Sequence, residues 1–118
     1  MFVTIKLSAN MARGTVIQYD SASQSYITAT DNTYPLGVII RDPQQDSETG
    51  EWTARACFAG TCYALAHADI SDQGGALQVV SGRVQVNSSG DNHSGIISPL
   101  SLGEPVRTSG SLVMVHLR

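Results

Sequence analysis

The sequence is short of most things that chemistry at a site requires. It has two cysteines in 118 residues, one tryptophan, two phenylalanines and three histidines, and charged residues make up only 14% of it. Two cysteines are too few to define a disulfide framework, so composition leaves the redox compartment open. The seven Lys and Arg residues are scattered singly against ten Asp and Glu, for a net charge of −3. With no basic stripe to displace counterions from a phosphate backbone, direct nucleic-acid binding is not expected. No run approaches the roughly 18 apolar residues needed to cross a bilayer, so no membrane partner is expected. The opening residues lack a basic leader and a long apolar core, so conventional export is not expected either.

What remains suits a small globular fold. The apolar share is 42%, and 11 glycines beside four prolines predict frequent tight turns. One domain fits the length. Short alternating segments separated by turn residues predict eight to ten strands, hence an all-β fold, a small β-barrel or β-sandwich of antiparallel strands.

Residues 1–10 alternate, with Val3, Ile5 and Leu7 on one side and Phe2, Thr4 and Lys6 on the other. They are expected to form either an extended N-terminal arm that pairs with another chain or the first strand of the domain, with residues 11–118 as the single barrel domain. Further strands are expected around Thr15 to Tyr19, Tyr26 to Thr30 and Tyr34 to Arg41, the last entered through Pro35, which cannot donate to a ladder. Asp42 to Glu51 reads as an exposed loop. For Trp52 to His67 a hairpin about Ala59-Gly60 places Trp52, Ala54, Ala56 and Phe58 on one face with Tyr63 and Leu65. A single strand bent at Gly60 is the rival. His67 to Gly75 is expected to include a helical turn. A second hairpin about Ser81-Gly82 sets Leu77 opposite Val86, Gln78 opposite Gln85 and Val79 opposite Val84. A third is expected about Ser109-Gly110.

Candidate chemistry is sparse. In the hairpin register Cys57 faces Cys62, which leaves three readings: buried inert thiols, a disulfide, or part of a metal site. The last needs two further ligands that the C-x₄-C spacing does not bring. His67, His93 and His116 fall on separate elements. Asp42, Asp46, Glu48 and Glu51 do not follow the alternation of a twelve-residue calcium loop. No nucleophile elbow and no phosphate-cradling glycine loop occurs. No catalytic, cofactor-binding or metal-binding residue is therefore assigned, and no enzyme is expected. Trp52 with Tyr19, Tyr26, Tyr34 and Tyr63 could stack on sugars, but Trp52 and Tyr63 are expected in the core.

The landmarks Gly14-Thr-Val-Ile17, Tyr34-Pro-Leu-Gly-Val-Ile-Ile40, Phe58-Ala-Gly-Thr-Cys-Tyr-Ala64, Ala68-Asp-Ile-Ser-Asp-Gln-Gly-Gly75 and Gly82-Arg-Val84 occur in an order that resembles the small β-barrel decoration, or cement, proteins of tailed-phage capsids. Ser98-Pro-Leu-Ser-Leu-Gly103 followed by Val113-Met-Val-His-Leu117 is similar to that family's closing segment. The resemblance spans most of residues 12–118. It implies a homotrimer on the outer surface of the virion, made in the host cytoplasm. There it would bind the major capsid protein at threefold or quasi-threefold positions and stabilise the expanded shell without catalysis or cofactor. It also implies an arm that adds a strand to the capsid, which here would be Phe2, Val3, Ile5 and Leu7. A carbohydrate-binding module and a tail or baseplate protein are the alternatives.

Overall fold

The computed structural model describes residues 2–30, 36–70, 75–87, 96–97 and 108–117. Among these residues there is no helix, and hence none long and apolar enough to cross a membrane. The eleven strands among the described residues are β1 (Phe2–Leu7), β2 (Val16–Asp20), β3 (Ser25–Thr28), β4 (Gly37–Ile39), β5 (Gln44–Gln45), β6 (Trp52–Cys57), β7 (Gly60–Leu65), β8 (Leu77–Val80), β9 (Arg83–Val86), β10 (Ile96–Ile97) and β11 (Leu112–Leu117). The all-β architecture is as the turn spacing predicts.

The first sheet runs β1-β3-β2-β4-β6-β5, and β1 also pairs with β6, so five strands close into a barrel with β5 as an appendage. Closure rests on the β1–β6 ladder, which is unbroken from Phe2↔Cys57 to Leu7↔Trp52. The opposite join is narrow, a single parallel bridge of Leu7 to Tyr26 followed by a 3.0 Å bond from Ser8 N to the Tyr26 carbonyl. Alternation decides what goes inside: Ile5, Leu7, Ile17, Ile39, Ala54 and Ala56 form the interior, with Val3, Tyr26, Trp52 and Phe58 partly buried around them. Ile5 and Ala54 are cross-strand partners, as are Ile39 and Ala56, so each large side chain meets a small one across a narrow barrel.

The neighbouring residues Val16, Val38 and Cys57 point out of the barrel and are also fully buried. They belong to a second core, covered by the remaining strands. The sheet β10-β11-β7 and the hairpin β8-β9 are joined at both ends by single bridges, Ala66↔Val84 and Ala76↔Ile97. These strands therefore also wrap a common interior, built from Cys62, Ala64, Leu77, Val79, Val84, Ile96, Val113, Val115 and Leu117. The wall through Val16, Val38 and Cys57 is dry on both faces, which explains why Ile17, Ile39 and Ala56 are buried beside them.

Two expectations change. Residues 2–7 take the role of first strand and are part of the barrel. Burying Ile5 and Leu7 stabilises this placement by about 3–6 kcal/mol, at about 1.5–3 kcal/mol per side chain, before the ladder is counted. Trp52 to Leu65 is not a hairpin: β6 pairs with β1 on one edge and with β4 and β5 on the other, while β7 pairs with β11. The rival holds, with the chain bending at Gly60, where φ is +95°, from one sheet into the next. A two-residue hairpin needs φ > 0 at its central positions, and Ala59 does not adopt it. Residues 67–70 form bends and a bridge, and residues 71–74 of the expected helical turn lie outside the described residues.

Other expectations hold. The Ser81-Gly82 hairpin has the predicted register at every pair from Leu77↔Val86 to Val80↔Arg83. Both turn residues adopt positive φ, +48° and +78°, as a type I′ turn demands. The turn is docked: Val16 N donates to the Gly82 carbonyl at 2.8 Å, and Gly82 N to the Ala29 carbonyl at 2.7 Å. Pro35 and the first strand of the Ser109-Gly110 hairpin lie outside the described residues, while its second strand is β11.

Candidate interaction surface

The two cysteines bracket the bend between the sheets. Both are buried and free, with no disulfide between them. The Cys57 thiol donates to the Ala59 carbonyl at 3.2 Å, which helps fix the bend. Burial pushes the Cys62 thiol well above its ordinary value of 9.0, and the adjacent Cys57 pushes it further in the same direction. A thiol held neutral in this way is a poor nucleophile. They pack as inert core residues.

The two described histidines, His67 and His116, make separate contacts. The His67 carbonyl accepts from Ser109 Oγ at 2.8 Å, His116 Nδ1 lies 3.3 Å from Thr61 Oγ1, and His93 is outside the described residues. In the acidic stretch Asp46 spends its carboxylate on its own turn. Asp46 Oδ1 accepts from the backbone N–H groups of Glu48 (2.7 Å) and Thr49 (3.2 Å), and these bonds hold its carboxyl below the ordinary carboxylate range. Glu51 pairs with Lys6 at 3.1 Å in the open, where such a bridge contributes about 0–1 kcal/mol. Among the described residues no three His, Cys, Asp or Glu side chains gather as a metal site. None of the described buried polar side-chain atoms lacks a partner.

The aromatics divide. Trp52 is half-buried at the barrel interior, as expected of a core residue. Tyr63, expected on the same face, is 49% exposed, because β7 turns Cys62 and Ala64 inward instead. Tyr19 is 53% exposed and meets Tyr26 edge-on at 5.5 Å on the barrel, so Tyr19 and Tyr63 belong to different sheets. Tyr34 is outside the described residues.

Of the residues expected to form a capsid-binding arm, Ile5 and Leu7 are buried, Val3 is half-buried, and only Phe2 stands out, at 51% exposure. Its ring borders a groove of about 470 Å³ lined by Phe2, Arg13, Ile40, Thr61, Cys62, Tyr63 and Leu112. That is within the size range of about 300–1,000 Å³ typical of ligand sites. The groove lies where the barrel meets the second sheet. Phe2 is one of the four arm residues that the resemblance implies, with Val3, Ile5 and Leu7. Nothing in the sequence pointed to Arg13 or Ile40, which come to the groove from loops and strand ends distant in the chain.

The fold and this surface define the class: a small all-β protein with two wrapped cores and an apolar groove between them. Comparison with protein-family models found no match, and comparison with curated proteins found none.

Proposed function

We propose that this chain is a viral structural protein that decorates the outer surface of a tailed-phage head, binding the major capsid protein and stabilising the expanded shell. It acts as a homotrimer at threefold or quasi-threefold positions and performs no catalysis. The observation that carries the reading is the pair of half-exposed aromatics, Phe2 and Tyr63, bordering one groove. Large apolar side chains left in water at one place mark a protein-binding site. The order of sequence landmarks supplies the family side of the argument.

Binding at several subunits at once explains how modest patches would suffice. A trimer whose first contact forms presents its other two at high effective concentration, so weak sites combine into firm attachment. Co-sedimentation with purified, expanded and undecorated heads tests the reading, with tails from the same particles as the comparison. Pelleting with heads supports decoration. Pelleting with tails alone would move the protein to the tail or baseplate.

A further inference from the structure

The groove has a floor of unpaired main chain. Leu65 donates its N–H to the Gly14 carbonyl at 2.9 Å, on the side of β7 away from β11, whereas Ala66 donates to Ser111 at 2.9 Å, at the end of β11. In an antiparallel ladder the N–H and C=O of one residue leave on the same side, and successive residues alternate. The β7–β11 register is unbroken from Gly60↔Leu117 to Leu65↔Leu112. Thr61 and Tyr63 therefore aim both backbone groups away from β11, as Leu65 does. They aim them at the groove that they line, and no described strand pairs with β7 on that side.

Two further features bear on what would fit. Phe2, Ile40 and Leu112 offer apolar walls, and Arg13 is exposed beside them with no carboxylate partner among the described residues. We propose that the edge of β7 accepts an extended segment of another protein as an added strand, with main-chain hydrogen bonds to Thr61 and Tyr63, apolar side chains against Phe2, Ile40 and Leu112, and a carboxylate on Arg13. Backbone pairing supplies affinity in this mode, and the flanking walls and charge supply selection. The occupant is an apolar segment carrying an acidic residue. A second copy fits less well: the exposed acidic stretch of this chain, Asp42 to Glu51, has no aromatic or branched aliphatic side chain to fill the groove.

The site lies in the groove on which the capsid reading rests, but its test uses no capsid, so either can fail without the other. The probe is the capped peptide acetyl-Val-Glu-Val-Glu-Val-amide, added to the ¹⁵N-labelled full chain and followed by amide shifts and hydrogen exchange. Binding is expected to shift and protect the Thr61 and Tyr63 amides. N-methylating the peptide's bonding amides should abolish it, and replacing its Glu residues by Lys should weaken it about tenfold or more, the effect of losing a charge-assisted bond. Arg13→Glu, an exposed position, should reverse the preference between the two peptides. Thr61→Pro removes a donor on the open edge and should block binding with the fold retained, as the amide spectrum would report. Unmoved Thr61 and Tyr63 amides at millimolar peptide would overturn the proposal, as would equal binding of the acidic and basic peptides. If those amides respond to protein concentration without peptide, the occupant is a second copy and the proposal of a foreign strand fails.

Discussion

The ring of Phe58 lies over Gly37, so close that a Cβ on Gly37 would come within 2.5 Å of it. Phe58 also meets Tyr26 at 5.4 Å between ring centroids, and so folds back into the barrel just where the chain leaves β6. Gly37→Ala must displace the ring or β4 and is expected to destabilise by about 1–3 kcal/mol, the range for overpacking. Urea unfolding of the variant checks this, and Gly37→Ala combined with Phe58→Leu should recover part of the loss. An unchanged midpoint in the single variant would mean that the contact is loose.

The turn at Gly82 is doubly constrained. A Cβ there would approach Thr28 Cγ2 to 2.5 Å, and φ is +78°. Gly82→Ala is expected to cost about 2–4 kcal/mol, from about 1–2 for the left-handed backbone and the rest for the clash. Ser81→Gly relieves a non-glycine residue at φ +48° without touching a contact and should leave stability within about 1 kcal/mol. Thermal unfolding of the two variants should separate them clearly.

The β8–β9 hairpin was legible in the sequence because all its information is local: alternation on both sides of a dipeptide that tolerates positive φ. The same logic failed at Ala59-Gly60. One edge of β6 is taken by β1, distant in sequence, and the other by β4 and β5, and nothing in residues 52–65 announces that β1 will occupy the first. The faces of β1 were readable from alternation, but not the choice between arm and barrel strand, which depends on Ile5 meeting Ala54 and Leu7 meeting Trp52. The groove was illegible for the same reason, since Arg13, Ile40, Tyr63 and Leu112 come from four separate segments.

Burial of the cysteines has a consequence at high pH. The Cys62 thiol is raised in the folded state above its ordinary 9.0, so the unfolded chain loses that proton first. Its contribution is therefore intact below about pH 9 and is lost as pH climbs from there toward the folded value. Unfolding midpoints should fall above pH 9 in the native protein and fall less in Cys62→Ala. At pH 8 a thiol reagent should label the folded protein far more slowly than the guanidinium-unfolded chain. Rapid labelling of both thiols in the folded state would contradict the packing described.

β1 separates two roles for the N-terminal residues. Removing residues 1–7 deletes Ile5 and Leu7 from the barrel interior together with a six-residue ladder and should unfold the protein, as loss of dispersed amide shifts would reveal. Phe2→Ser changes a half-exposed side chain, and its melting temperature should stay within a few degrees of the parent while head binding weakens. A folded, soluble truncation would show that the strand is a detachable arm after all.

Electron cryomicroscopy of expanded, undecorated tailed-phage heads incubated with the purified protein tests the central claim most directly. The account predicts added density on the outer surface at threefold and quasi-threefold positions, with three copies in each and the Phe2–Tyr63 side turned toward the shell. Heads that remain bare at saturating protein, or density confined to tails, would contradict it.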